Sequence, residues 1–257
     1  MNDFGGKVVI VTGASSGLGK AAALHFGSAG AKVVVAARRE EQGQGVVSEI
    51  ENSGGEALFI KTDVTRQQDI IALIDSTIAR FGKLDCAVNN AGVDGATMTP
   101  MADIEEADWD QLMNVNLKAV WMCMKYEIPA MIKNGGGSIV NVSSIYGSKP
   151  SDIGHAPYAA SKFAVIGLSK TAAIDYAQQN IRINVVSPGL VHSEMVDYYV
   201  DAEPELVAAI VSRHSAANRL GEPTEIAEAI TWLCSDAASF VNGSNLTVDG
   251  GDASKLY

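Results

Sequence analysis

Seven short apolar runs, rich in β-branched residues, recur along the chain, and a longer helical pattern follows each of the first six. The runs cover residues 7–11, 32–36, 57–60, 84–88, 138–142, 182–186 and 245–248. They are near-continuous rather than alternating, as strands buried on both faces of a parallel sheet must be. Helical patterns fill residues 17–29, 40–53, 66–81, 105–133, 158–179 and 224–235. This alternation predicts an α/β fold, a doubly wound (Rossmann-type) parallel sheet with helices on both faces and right-handed crossovers. No repeat or linker interrupts it, so one domain over residues 1–257 is expected, a size such folds reach undivided. Two stretches stand outside the alternation. Residues 148–156 form a polar loop with Gly and Pro, and residues 190–217, with Met195, Tyr198 and Tyr199, are expected to form a small helical substrate lid.

Composition removes several functions. A net charge of −11 and the lack of a basic stripe argue against nucleic acid as a partner. No apolar run approaches the ~18 residues of a membrane span, and no basic-then-apolar leader is read, so a cytoplasmic protein is expected. The three cysteines are dispersed and fit a reducing compartment. His25, His155, His192 and His214 show no metal-ligand spacing, so no metal site is expected.

Chemistry enters with Gly13-Ala-Ser15-Ser16-Gly17-Leu18-Gly19, which follows the first strand and opens the first helix. Glycines let the backbone approach a pyrophosphate, and the helix N-terminus offers unpaired N–H groups to it. The same letters satisfy G-x-S-x-G around Ser15, the nucleophile elbow of hydrolases. That reading needs an acid (Asp175 or Asp197) and a histidine (His192 or His214), none in a supporting local pattern, and an elbow belongs deeper in the sheet. Where an acid would hold the ribose of NAD, the chain reads Ala37-Arg38-Arg39. Ala37 leaves space and a guanidinium grips a 2′-phosphate, so NADP is the expected cofactor with NAD as second choice. Arg38 and Arg39 also suit a solvated helix start.

Further on, Pro157 precedes Tyr158 and Lys162, which share one helix face four residues apart. A free phenol ionises near ~10, too high for acid–base work at neutral pH. The nearby Lys162 ammonium, helped by a positive nicotinamide in the oxidised complex, is expected to lower it.

With Thr12 in front, the glycine turn reads T-G-x-x-x-G-x-G. Together with Asp63-Val64, Asn89-Asn90-Ala91-Gly92, Asn116, Ser144, Tyr158-x-x-x-Lys162 and Pro188-Gly189, the chain resembles the short-chain dehydrogenase/reductase family over nearly its whole length. The resemblance implies hydride transfer between a nicotinamide cofactor and a ketone or secondary alcohol. It makes Asn116, Ser144, Tyr158 and Lys162 the catalytic set. Ser144 would hold the substrate oxygen, Lys162 the nicotinamide ribose, and Asn116 would shape a helix and order a proton relay. Neighbouring Ser143 and Asn114 stay as alternatives. It implies that the cofactor also touches Asp63, Val64, Asn90, Ala91, Gly92, Pro188 and Gly189, that Tyr158 contacts it beside Lys162, and that Val191 and Ser193 bind the carboxamide. Tyr146 is expected as pocket wall, and His192 as a packing or solvent-facing residue. A homotetramer pairing residues 105–133 and 158–179 is implied as well. Two other functions stay open: a reductase of 3-oxoacyl groups on acyl-carrier protein, and an inactive cofactor-binding regulatory protein.

Overall fold

The computed structural model describes residues 3–95, 98–194, 196, 197, 200 and 204–255. Seven strands form one sheet: β1 (Val8–Thr12), β2 (Lys32–Ala37), β3 (Glu56–Lys61), β4 (Cys86–Asn89), β5 (Gly137–Val142), β6 (Ile181–Pro188) and β7 (Asn245–Val248). Their order is β3-β2-β1-β4-β5-β6-β7, with every pairing parallel. Around them lie α1 (Gly17–Ser28), α2 (Glu40–Asn52), α3 (Gln67–Phe81), α4 (Glu106–Met113), α5 (Ala119–Lys133), α6 (Ala156–Asp175), α7 (Pro204–His214) and α8 (Pro223–Cys234).

Successive side chains of a strand point to opposite faces, which splits the central strands between two cores. Val9, Val11, Val33 and Val35 pack with Phe26 of α1 and Ile230 and Leu233 of α8. Ile10 and Val34 face the other way, onto Leu73, Val120, Met124 and Val165 from α3, α5 and α6. Strand order reverses between β1 and β4, so a ligand crevice opens at their carboxyl ends.

Two helical expectations need correction. The stretch 105–133 is not one helix: a π-helical turn, Asn114–Lys118, separates α4 from α5. Its cause is tertiary. The buried Asn116 side chain accepts from the Val93 N–H at 2.9 Å and donates to the Val93 carbonyl at 2.8 Å, drawing the turn inward. Such single-turn bulges recur at functional sites. The helix expected at 158–179 begins earlier, at Ala156, because Pro157 is suited to a first turn, and it ends at Asp175 before a 3₁₀ turn, Ala177–Gln179. Of the expected lid, α7 is described. Met195, Tyr198 and Tyr199 lie outside the described residues.

Between β4, β5, α5 and α6 runs a buried polar chain. Asn89 Nδ2 donates to Glu127 Oε2 and to Asn141 Oδ1, both at 3.0 Å, and Asn141 Nδ2 donates to Ser169 Oγ at 2.8 Å. Burial raises the Glu127 carboxyl to about 7, against the pull of the Asn89 hydrogen bond. Asn89 Oδ1 is buried with no partner. A protonated Glu127 has an O–H to give it, completing a two-bond acid–amide pair. The folded state thus binds a proton that the unfolded chain releases above its ordinary value of 4.5. Stability therefore falls as pH rises from about 4.5 to about 7 and then levels, by on the order of 3 kcal/mol. Glu127→Gln offers the same two bonds without a charge. Denaturant titrations across this window should show the slope flattened in that variant, with greater stability than wild type at pH 8.

Candidate active site

The carboxyl ends of β1, β4, β5 and β6 bring the glycine turn, Asn90–Gly92, Ser143-Ser144 and Pro188-Gly189 to one edge of the sheet. Their order of assembly follows from hydrogen bonds. Thr12 Oγ1 donates to the Val88 carbonyl and accepts from the Asn90 and Ala91 N–H groups at 3.0 and 3.2 Å. Asn90 Nδ2 then donates to the Thr12 carbonyl at 3.0 Å, holding the first residues of the turn. Gly19 has no room for a side chain, since a Cβ would lie 2.4 Å from the Gly13 carbonyl oxygen. Gly17 is different: at φ +52° its α-hydrogen faces open space ahead of α1. Helix α1 has no acid in its first turn and no side-chain cap from Ser16. An unneutralised N-terminus behind an open glycine face fits a pyrophosphate. Leu18 packs against the core behind the turn.

Arg39 folds over this turn. Its Nε lies 3.3 Å from Ser15 Oγ, its Nη2 donates to Ser16 Oγ, and Nη1 pairs with Glu194 at 3.2 Å. Arg38 acts on Asp63 instead. Burial raises the Asp63 carboxyl, but hydrogen bonds from Thr65 and the charges of Arg38 and Arg66 outweigh it, leaving Asp63 below its ordinary value. Val64 packs beside Ile70, Met122 and Cys123. With Arg39 as its partner, Ser15 has no base to take its proton. His192 pairs with Asp197 at 2.5 Å and lies 3.9 Å from Glu222. The elbow reading therefore lacks its contact among the described residues.

Lys162 and Tyr158 meet on α6, with Nζ 5.5 Å from the phenol centroid. Lys162 is 5 % exposed and donates to the Val142 carbonyl at 3.0 Å, tying α6 to the end of β5. Burial lowers this ammonium to about 8, the Asp94 carboxylate opposing. Burial, then Asp94, push the Tyr158 phenol above the ordinary value, while a hydrogen bond with Ser144 pulls the other way. The ammonium lies over the ring face and gives its hydrogen bond to the Val142 carbonyl.

Ser144 is the side chain that draws the Tyr158 phenol down, and its hydroxyl accepts from the Tyr146 N–H at 3.2 Å, whereas the Ser143 hydroxyl is spent on the Lys162 carbonyl at 2.9 Å. Asn116, rather than the less buried Asn114, reaches inward, and its amide is fully used by Val93 and by Ser161 at 3.4 Å. A Cβ on Gly92 would sit 3.4 Å from Asn116 Oδ1 and 3.7 Å from Lys162 Nζ, so Gly92 borders both. On the far side, the Gly189 N–H donates to the Val248 carbonyl, Val191 bridges to Gly221, and the Ser193 hydroxyl accepts from the Val196 N–H. Pro188 ends β6 beneath them.

Two side chains in this cluster escaped the sequence reading. Asp94, two positions past Gly92, acts on Tyr158, Lys162 and His155 together. His155 stacks on the Tyr158 ring, with centroids 5.1 Å apart. The one sequence signal for His155 is its place just before the Pro157-Tyr158 helix start. Among the described residues, no group of three or more His, Cys, Asp or Glu is arranged to hold a metal.

An open parallel sheet with a glycine turn on β1 and a Ser–Tyr–Lys cluster past β5 defines a nucleotide-dependent oxidoreductase, and the comparisons agree. The family model described as enoyl-(acyl carrier protein) reductase matches residues 13–252. The chain is 43% identical over 246 residues to an A-factor type gamma-butyrolactone 1'-reductase (1S-forming) of Streptomyces virginiae, covering 95% of each chain. It is 41% identical to a 2,5-dichloro-2,5-cyclohexadiene-1,4-diol dehydrogenase of Sphingobium indicum, covering 98% of each. A solved short-chain type dehydrogenase/reductase from Mycobacterium marinum superposes with TM-score 0.91 at 34% identity, covering 97% of this chain and 96% of that one. The chain belongs to the short-chain dehydrogenase/reductase family and is an NAD(P)-dependent oxidoreductase acting on CH–OH groups.

Proposed function

We propose that this protein is an NADP(H)-preferring oxidoreductase that interconverts a ketone on a small ring compound and the corresponding secondary alcohol. The Ser144–Tyr158–Lys162 cluster at the carboxyl edge of the sheet carries the reading. Ring-containing substrates are favoured because the names of the butyrolactone 1'-reductase and the cyclohexadiene-diol dehydrogenase both specify compounds that contain a small ring. The nicotinamide, when bound, supplies the hydride to the carbonyl carbon. Ser144 hydrogen-bonds the substrate oxygen and stabilises its developing charge. Tyr158 gives that oxygen its phenolic proton, so the new O–H forms as the carbonyl π bond breaks, and solvent reprotonates the phenolate. Lys162 supplies positive charge beside the phenolate, and Asn116 positions the Gly92–Val93 backbone next to both. The glycine turn, with Asn90 and Ala91 behind it, holds the pyrophosphate. Asp63 and Val64 border the adenine end, and Pro188, Gly189, Val191 and Ser193 the nicotinamide end.

An acyl-carrier reductase is the less favoured reading. That partner is acidic, and a chain of net charge −11 steers it poorly. An inactive regulatory protein would need neither Tyr158 nor Lys162, and both are present. We also infer one domain with a lid near residues 190–217, a cytoplasmic location and a homotetramer. Exposed Trp121 on α5 and Phe163 on α6 suit packing of those helices between subunits, whereas Val165 and Ala173 are core. No helix among the described residues is long and apolar enough to cross a membrane.

The test follows NADPH absorbance with a panel of ring ketones and with a carrier-bound 3-oxoacyl substrate. Turnover of free ring ketones above the carrier substrate is the expected result. Tight NADPH binding with no turnover anywhere would leave the regulatory reading standing.

A further inference from the structure

His155 is only 7 % exposed, yet neither Nδ1 nor Nε2 has a hydrogen-bond partner. Its ring lies 30° from parallel with that of Tyr158 at 5.1 Å, and meets Tyr146 edge-on at 6.2 Å. Leaving a buried polar group unpaired costs on the order of 1–3 kcal/mol, and such orphans are rare enough in native proteins to need a reason. Packing alone gives none, since a phenylalanine would fill the same space without that cost. Burial, opposed by Asp94, holds the imidazole below its ordinary value, so at neutral pH it is uncharged. A neutral imidazole offers one donor and one acceptor.

The position of the ring is fixed by the helix that carries Tyr158. His155 caps the N-terminus of α6, and its carbonyl accepts from the Ala159 N–H at 2.9 Å. The imidazole is the direct neighbour of the Tyr158 ring, with centroids 5.1 Å apart, so a substrate held at the phenol lies beside it. The turn before His155 carries Gly154 at φ +66°, and there the Met98 N–H donates to the Ile153 carbonyl at 2.8 Å. Both imidazole nitrogens are closed to solvent, so a substrate can reach them only if this turn shifts on binding.

We propose that His155 determines specificity by hydrogen-bonding a second oxygen on the substrate ring, so that the enzyme selects ring ketones bearing a further carbonyl or hydroxyl. The inference rests on the ketone–alcohol reading above and names the substrate class within it.

The test compares kcat/KM for cyclohexane-1,4-dione and for cyclohexanone with NADPH. Wild type should prefer the dione, and His155→Phe should lower the dione-to-monoketone ratio by roughly tenfold or more, the loss of one hydrogen bond to a buried group. His155→Gln, which keeps a donor and an acceptor, should hold the ratio closer to wild type. Equal rates on the two ketones in wild type, or an unchanged ratio in His155→Phe, would overturn the proposal. Should His155→Phe fail to fold, the wild-type ratio and His155→Gln still decide. A wild type inactive on both ketones counts against the ketone–alcohol reading itself, a separate outcome from turnover of both without discrimination.

Discussion

Tyr158→Phe should lower kcat for ketone reduction by about 10²–10⁴-fold, the usual contribution of a positioned acid or base. The substitution is narrow. Phenylalanine keeps the ring that stacks on His155 and lies under Lys162 Nζ, and Ser144 keeps its bond from the Tyr146 N–H at 3.2 Å. What disappears is the phenolic hydroxyl beside Ser144, and with it the proton that the proposed mechanism gives to the substrate oxygen. NADPH affinity should change by no more than roughly tenfold, the value of one lost hydrogen bond to a ribose. A single-turnover measurement beside an NADPH binding titration separates the two effects. Retention of near-wild-type kcat would remove Tyr158 from the chemistry. A parallel collapse of NADPH binding would make its role structural.

The strands were legible because a fully buried parallel strand leaves a short apolar run with few substitutes. Every run from 7–11 to 245–248 overlaps an observed strand. The crevice was legible for a related reason: a turn at the carboxyl end of each strand has to be built from particular small and polar residues. The π turn at Asn114–Lys118 was not legible, since Asn-Val-Asn-Leu-Lys sits well in a helical pattern. The added residue is imposed by Val93, more than twenty positions away. His155 was hidden for the opposite reason. Nothing in its spacing marks a ligand, and its significance arises from two nitrogens left without partners once the loop folds. The influence of Asp94 on Tyr158 was not legible either, because it acts through space and the i, i+4 pattern reports only the lysine.

Arg38→Asp should reverse the NADPH-over-NADH preference, with the ratio of kcat/KM falling on the order of 10²-fold or more. Ala37, the small last residue of β2, would leave room for the 2′-phosphate of a bound NADP, which Arg38 would then grip. A charge-assisted hydrogen bond is worth about 1.5–3 kcal/mol, so losing it costs roughly ten- to a hundredfold, and a new carboxylate adds repulsion of the 2′-phosphate. Arg39→Ser should cost less, roughly tenfold in the same ratio. Arg39 already serves Ser15, Ser16 and Glu194, and its ion pair with Glu194 is exposed, 44% and 65% on the two sides. Exposed pairs are weak, so a phosphate can draw the guanidinium away. The same exposure predicts that KM for NADPH rises with ionic strength more steeply than KM for NADH, because only the former reports the extra charge. Cofactor titrations at two salt concentrations on wild type and both variants measure all of this. An unchanged ratio in Arg38→Asp with a large fall in Arg39→Ser would move the phosphate grip to the arginine over the glycine turn. Unchanged ratios in both would place NADP selectivity outside this pair, and with it the preference inferred from Ala37-Arg38-Arg39.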